Sequence, residues 1–146
     1  MNLNTLDEDK LLEALGDDEN KCLLNLTTSK IKSIKNDVLQ QLSLDREDLI
    51  ILHDKLCEYR YVDEIPDVKY GCYIRWIRLK NPDEIKLTNG GVVIDVSVMN
   101  DDIYLTCKNN RNRMFKLKMS ENIIFQKLTE QEKILLSVLD YVNDKN

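Results

Sequence analysis

The sequence predicts an α+β protein with an N-terminal helical hairpin, a small five-stranded antiparallel β-barrel of the Tudor or Sm type, and a C-terminal helix. Before residue 65 and after residue 128, apolar residues recur at helical spacing. Between these segments they alternate with polar residues in short runs that turn residues separate. The alternative that fits the same pattern is an open α+β sandwich with the helices on one sheet face.

The N-terminal segment predicts a short helix with a capping box. Thr5 is followed three residues later by Glu8, and Gly16 is placed to end the helix. The expected apolar stripe consists of Leu11, Leu12 and Leu15. Because so short a helix is marginal without tertiary packing, we expect residues 1–26 to form a weakly tethered acidic arm.

Residues 27–64 predict two helices joined by a short link, which is typical of an αα-hairpin. Thr28 or Ser29 is the expected cap of the first helix, and Asp45 that of the second. The lysines of the first helix are expected to point away from its apolar face. The two apolar faces consist of Ile31, Ile34, Val38 and Leu42, and of Leu49, Leu52, Leu56 and Tyr59.

Residues 65–128 predict the barrel. Pro66 stops any helix, and the period changes to two from Gly71 to about Leu128. One buried face per strand indicates an antiparallel sheet, and closure into a meander barrel removes exposed edges. "NIIFQKL" is the fifth strand, and the inward residues of the other four are Ile74 and Trp76; Val92, Ile94, Val96 and Val98; Ile103, Leu105 and Cys107; Phe115, Leu117 and Met119.

The last segment, residues 129–146, predicts a helix that closes an open end or side of the barrel. Thr129 and Glu132 form a second capping box. The apolar face consists of Leu135, Val138, Leu139 and Val142. We expect residues 27–146 to form one domain.

Charge is unevenly distributed along the chain. Residues 65–128 carry 11 Lys and Arg against 7 Asp and Glu, whereas residues 1–64 carry 8 against 15. Such asymmetry is found where one segment binds a charged partner. It also allows the acidic arm to fold back on the basic barrel and mask it until a partner competes.

Enzymatic patterns are absent from the sequence, so we expect no enzyme, no catalytic residue and no cofactor. There is no G-x-S-x-G elbow and no phosphate-binding loop. Gly90 and Gly91 precede a strand, which favours a turn with positive φ over a close approach to a ligand. The carboxylates of Asp63-Glu64 and Asp101-Asp102 fall in predicted turns, where water solvates them.

The cysteine and histidine content also argues against a metal site. The four cysteines are far apart and form no C-x-x-C, which argues against zinc and against a disulfide framework. His53 is the only histidine and is expected to be a partly exposed helix residue. No apolar run approaches the ~20 residues of a membrane span, and no secretory signal is visible. A membrane is therefore not expected among the partners.

The basic residues of the predicted barrel are the best candidates for binding. Three interpretations are open: a solvated surface, a nucleic-acid surface in which aromatics stack bases and cations hold phosphates, and a surface for an acidic protein. The flexible loop "KNNRNRM" adds two arginines that can grip a carboxylate or phosphate in bidentate fashion. Trp76 is expected in the core. The candidate binding residues are Tyr73, Arg75, Arg78, Tyr104, Lys108, Arg111, Arg113, Lys116 and Lys118.

Four blocks resemble an uncharacterised small protein family of large DNA viruses of the mimivirus type: "EYRYVDEIPDVKYGCYIRWIRL", "LTNGGVVIDV", "CKNNRNRMFKLKM" and "IIFQKLTEQEKILLSVLDYV". The resemblance covers roughly residues 45 to 143. It implies a viral protein acting in the host cytoplasm or packaged in the virion, and it implies no activity.

The predicted function is a non-enzymatic interaction module that binds a viral or host protein through the basic barrel face. A protein that binds RNA or DNA through the same face is the alternative, and an enzyme is the third class. Homo-oligomers are possible, since Sm-type barrels commonly form rings.

Overall fold

A computed structural model describes residues 8–17, 20, 23 and 26–144. Within them the chain forms four α-helices and a six-stranded antiparallel sheet. The elements are α1 Glu8–Gly16, α2 Thr28–Gln40, α3 Arg46–Lys55, β1 Tyr59–Val62, β2 Tyr73–Arg78, β3 Gly91–Met99, β4 Asp102–Lys108, β5 Met114–Lys118, β6 Asn122–Lys127 and α4 Glu130–Asp144. Short 3₁₀ turns, Ile65–Asp67 and Met119–Glu121, precede β2 and β6.

The sheet has the strand order β1-β6-β2-β3-β4-β5 and is not closed, so the prediction of a five-stranded barrel is wrong. Two causes explain the error. Residues Tyr59–Val62, which fall in the segment predicted as the helical hairpin, form the strand β1 and pair with β6. The last strand is also not at the end of a meander, because β6 lies between β1 and β2.

All six strands nevertheless bend around a common apolar core. This inner core contains no α-helix residue and receives side chains from all six strands, so the sheet must curve to enclose it. Trp76 is 2% exposed at its centre, which confirms its predicted core position. The other buried members are Val62, Val68, Ile74, Val93, Leu105, Cys107, Leu117, Met119 and Ile124.

A second core lies between the helical hairpin and the opposite face of β1, β6 and β2. Leu39, Leu52 and Leu56 pack there against strand residues such as Ile77 and Phe125. The hairpin thus lies on one sheet face, whereas Glu132 of α4 contacts Arg60, which shares the inner face of β1 with Val62. Buried apolar surface contributes roughly 25 cal/mol per Å², so this packing holds the hairpin in place.

Four details of the hairpin differ from the prediction. Ile34, expected on the apolar face of the first helix, is 39% exposed. The N-cap of α2 is Thr27, whose hydroxyl accepts a hydrogen bond from the Lys30 amide at 3.2 Å. Tyr59 belongs to β1, because α3 ends at Lys55. Lys35 is buried rather than solvent-facing, and its ammonium donates to the Leu56 carbonyl at 2.8 Å. Burial lowers the pKa of Lys35.

The predicted inward face of β3 is wrong in its first half. Val92 and Ile94 are exposed and Val93 is buried. The reason is a β-bulge between Val93 and Asp95, where two residues on β3 oppose one on β4. Beyond the bulge Val96 packs against the inner core as predicted, but Val98, also predicted to face inward, is 60% exposed.

The helix α1 packs against α4, and Ala14 is its fully buried residue. The predicted stripe is wrong for Leu12 and Leu15, which are exposed, whereas Leu11 is partly buried. The helix ends at Gly16 as predicted. The capping box of Thr5 lies outside the described residues.

The C-terminal helix is confirmed together with its capping box. Glu132 accepts from the Thr129 amide at 2.9 Å, and the Thr129 hydroxyl accepts from the Glu132 amide at 3.1 Å. Leu135 is buried as predicted, with Leu136 beside it, whereas Val142 is exposed.

A buried charged cluster joins α4 to the sheet. We call Arg60, Lys69 and Glu132 the Glu132 cluster. Arg60 Nε lies 3.0 Å and Lys69 Nζ 3.3 Å from Glu132 Oε2, and all three side chains are buried. Asn20 accepts from Lys69 and donates to the Ala14 carbonyl at 2.9 Å, which ties the cluster to α1. Buried charges require such pairing.

Candidate interaction surface

The outer face of strands β3, β4 and β5 is the part of the sheet that the two helices of the hairpin leave uncovered. The strand residues of the second core lie on β1, β2 and β6, so that core does not extend onto this region. Cross-strand pairs place their side chains on a common face. On this face Lys116 lies opposite Thr106, Lys118 opposite Tyr104, and Lys108 opposite Met114.

Apolar side chains are exposed on this same face. Val92 is 36%, Ile94 41% and Met114 64% exposed. The bulge in β3 turns Ile94 outward, and the pairing of Val92 with Lys108 puts Val92 beside the basic row. We call these three apolar residues, together with Lys108 and Lys116, the basic-apolar face.

The lysines of β5 differ in their surroundings. Lys116 and Lys118 are two residues apart, which separates them by ~6.8 Å along the strand. The Lys116 ammonium lies 5.3 Å from the centre of the Tyr104 ring, a cation–π contact. Lys118 Nζ lies 3.2 Å from Asp102, and this hydrogen bond raises the pKa of Lys118. Lys116 and Lys108 are exposed and pair with no carboxylate among the described residues.

The turn of residues 109–113 carries two of the predicted arginines. Its backbone is bound by the Asn109 side chain, which accepts from the Arg111 amide at 3.0 Å and the Arg113 amide at 2.9 Å. Asn112 adopts a φ of 61° within it, in the left-handed region that asparagine tolerates. The exposed arginines therefore extend from a defined turn beside Lys108.

A groove of about 290 Å³ lies along β5, on the side away from β4. Residues 115–118 form one wall, and Arg78 and Lys80 contribute to the other. The groove exists because the sheet does not close. Lys80 pairs with Glu121 at 3.3 Å, but both side chains are exposed, so solvent screens this pair.

Of the remaining predicted residues, Tyr73 lies opposite Val92 at the border of this surface, whereas Arg75 lies beyond that border on β2. The Tyr73 hydroxyl donates to the Asn89 carbonyl, and Arg75 Nε donates to the Thr88 carbonyl at 2.8 Å. Both side chains brace the turn before β3 next to the second core. Gly90 in that turn has a φ of +91°, as the sequence predicted.

Another cavity, of about 700 Å³, lies between β1 and the β3–β4 turn. It gathers Asp63, Asp101 and Asp102, which the sequence assigned to separate turns. Asp63 and Asp101 are exposed, and Asp102 pairs with Lys118.

Other chemistry is sparse in the described part of the chain. His53 is half-buried on α3, where burial and then Lys35 lower its pKa. Among residues 8–17, 20, 23 and 26–144, no three His, Cys, Asp or Glu side chains are grouped to hold a metal ion. No helix within these residues is long and apolar enough to cross a membrane. Comparison of the chain with protein-family models, curated proteins and solved structures gives no match.

Proposed function

We propose that this chain is a non-enzymatic interaction module that binds an acidic protein partner through its basic-apolar face. The observation that carries the proposal is the exposure of Val92, Ile94 and Met114 among lysines on a sheet face that the helical hairpin leaves bare. Exposed apolar side chains grouped with polar residues on one sheet face are typical of protein-binding sites.

A protein partner is favoured over a nucleic acid by the state of the aromatic residues. Binding of single strands uses open aromatic rings on which bases stack. Here Lys116 occupies one side of the Tyr104 ring, and Tyr73 packs beside the second core with its hydroxyl bonded to Asn89. The lysines and arginines alone supply phosphate contacts but no stacking platform.

The resemblance to the giant-virus family provides the biological setting of the proposal. In that setting the partner is a viral or host protein, and binding occurs in the infected cytoplasm or in the virion. The acidic side chains of the partner pair with Lys108, Lys116 and the arginines of the 109–113 turn. Its apolar side chains cover Ile94 and Met114.

Position-specific photocrosslinking in extracts of infected cells tests the proposal. A benzophenone amino acid replaces Ile94 on the face or, as a control, Ile51 on α3, which is similarly exposed at 51%. We expect a protein adduct at position 94 that position 51 does not give. The adduct is identified by mass spectrometry, and the purified partner is expected to bind at least tenfold more weakly to a Lys108→Glu, Lys116→Glu variant.

Fluorescent oligonucleotides form the second arm of the experiment. Binding to nucleic acid through phosphates falls log-linearly with salt concentration. Strong, salt-dependent retention of an oligonucleotide, with no protein adduct specific to position 94, would replace the proposal with the nucleic-acid alternative. Identical adducts at positions 94 and 51 would also refute it.

A further inference from the structure

The free edge of β5 indicates how the partner is held. We infer that the groove along β5 accepts an extended acidic segment of the protein partner, which adds a further strand to the sheet. This inference rests on the proposed function and names the binding mode. Strand addition at an exposed sheet edge uses main-chain hydrogen bonds for affinity and side-chain pockets for specificity.

The backbone of β5 is available for such pairing. β5 pairs with β4 on one side. Within the described chain, no hydrogen bond outside that ladder reaches the backbone of residues 115–117. An edge strand presents a row of unpaired N–H and C=O groups. Five residues of β5 offer an edge of ~17 Å.

The charges around the edge select an acidic occupant. The groove is lined by Arg78, Lys80, Lys116 and Lys118 against the single carboxylate of Glu121. Since Glu121 forms only an exposed pair with Lys80, an incoming carboxylate can compete for that lysine. Cations on both walls are thus placed to neutralise a negatively charged strand between them.

The same charges argue against pairing with a second copy of this chain. If the β5 strands of two copies paired edge to edge, they would bring their Lys116 and Lys118 side chains together on the same sheet face. Like charges opposite each other on neighbouring strands are destabilising. Lysines on an edge strand are a known way to prevent self-association. The edge is therefore protected against its own copy and open to a strand of opposite charge.

The register of β5 predicts the pattern of the segment. Lys116 and Lys118 face outward, whereas Phe115 and Leu117 pack toward the inner core. Alternate residues of an added strand lie on the same two faces. The segment should therefore alternate Glu or Asp, beside the lysines, with Val, Ile or Thr on the other face.

Binding of defined peptides tests this inference by fluorescence anisotropy. The probe is a labelled Glu-Val-Glu-Val-Glu peptide. Its matched control is the same peptide with N-methyl groups at alternate residues, because N-methylation keeps the charge but blocks strand pairing. We expect the first to bind at least tenfold more tightly. Hydrogen exchange of the β5 amides is expected to slow only with the unmethylated peptide.

Two variants test whether the peptide binds in the groove or elsewhere on the surface. Arg78→Glu with Lys80→Glu alters only the far wall of the groove, and we expect at least a tenfold loss of peptide affinity. Lys32→Glu with Lys127→Glu has the same charge change at exposed sites away from the groove, and we expect less than a twofold loss. Circular dichroism checks folding, and the Arg78→Gln, Lys80→Gln variant replaces the first if it does not fold.

The outcomes distinguish this inference from the proposed function. Equal binding of both peptides, or an unchanged affinity of the groove variant, would refute strand addition. If no peptide binds while the adduct at position 94 persists, the inference fails and the proposed function stands. If the adduct is also lacking, the proposed function fails as well.

Discussion

Replacing Glu132 by alanine tests whether the Glu132 cluster holds the helices on the sheet. The substitution leaves the Arg60 guanidinium and the Lys69 ammonium buried without the carboxylate that they share at 3.0 Å and 3.3 Å. Removing one partner of a buried ion pair costs about 3–5 kcal/mol. The loss of the capping bond to the Thr129 amide adds about 1 kcal/mol.

The expected loss is a large fraction of the free energy of unfolding, which is about 5–15 kcal/mol for typical domains. Urea unfolding followed by fluorescence of Trp76, which is the only tryptophan, measures the free energy of unfolding directly. The two losses sum to about 4–6 kcal/mol, so for a chain of this size the midpoint of thermal unfolding should fall by about 8–24 °C, at about 2–4 °C per kcal/mol.

Two further variants test the role of the shared carboxylate. Glu132→Gln retains an oxygen that can accept from the Thr129 amide but places an NH2 donor against Arg60 and Lys69, so we expect a loss close to that of Glu132→Ala. Glu130→Ala is the matched control, because Glu130 lies in the same helical turn and its side chain is 89% exposed. We expect the control to change stability by less than about 0.5 kcal/mol. A loss below about 1 kcal/mol for Glu132→Ala would refute the argument.

Three further predictions concern backbone strain, a helix anchor and a buried thiol. Gly90→Ala should lower the free energy of unfolding by more than about 1 kcal/mol. The φ of Gly90 is +91°, and an added Cβ would lie 2.2 Å from the Ile74 carbonyl oxygen of β2. Urea unfolding measures the loss. Asp140→Ala should cost about 1.5–3 kcal/mol, because its carboxylate accepts from the amide and hydroxyl of Thr28; calorimetry measures it. Burial raises the pKa of Cys107 to about 11, so iodoacetamide at neutral pH should alkylate exposed Cys57 and not Cys107.

The raised pKa of Cys107 also fixes the sign of a pH effect. The unfolded thiol ionises near pH ~8.5, whereas the folded thiol keeps its proton to about pH 11. The unfolded state therefore loses the proton first, and this contribution to stability is present below pH ~8.5 and declines as the pH rises to about 11. Cys107→Ala should have a shallower decline over this window, and an unchanged slope would contradict the assignment.

Controls for the other two substitutions come from the same elements. Gly71→Ala also changes a glycine with positive φ but meets no atom within 4 Å, so it should cost less than Gly90→Ala. Asp144→Ala removes an exposed carboxylate at the end of α4 and should be nearly neutral. If Gly71→Ala lowered the free energy of unfolding as much as Gly90→Ala, the close approach at Gly90 would not explain the loss. If Asp144→Ala lowered it as much as Asp140→Ala, the hydrogen bonds of Asp140 to Thr28 would not explain the loss.

Local signals in the sequence predicted the elements that depend on neighbours along the chain. The capping box of Thr129 and Glu132 uses groups three residues apart, and it forms as predicted. The alternation in β4 correctly assigns Leu105 and Cys107 to the core. Period and capping act within a few residues, so they can be read without tertiary contacts.

Elements that depend on remote partners were mispredicted. Residues Tyr59–Val62 continue the helical spacing of α3, yet they form a strand because β6 pairs with them more than 60 residues later. The β3 bulge reverses the predicted facing of Val92 and Ile94. Arg60 and Lys69 had no visible partner in the sequence, since Glu132 is remote from both.

The candidate surface combines both kinds of information. The sequence by itself determined that Lys116 and Lys118 alternate with apolar residues on β5, because side chains on a strand alternate between faces. The tertiary structure alone decided that the hairpin covers β1, β2 and β6 but not β3 to β5, and that the sheet stays open along β5 beside Arg78. Which face is covered and which edge is left unpaired depend on contacts between segments distant in the chain, and no local pattern encodes them.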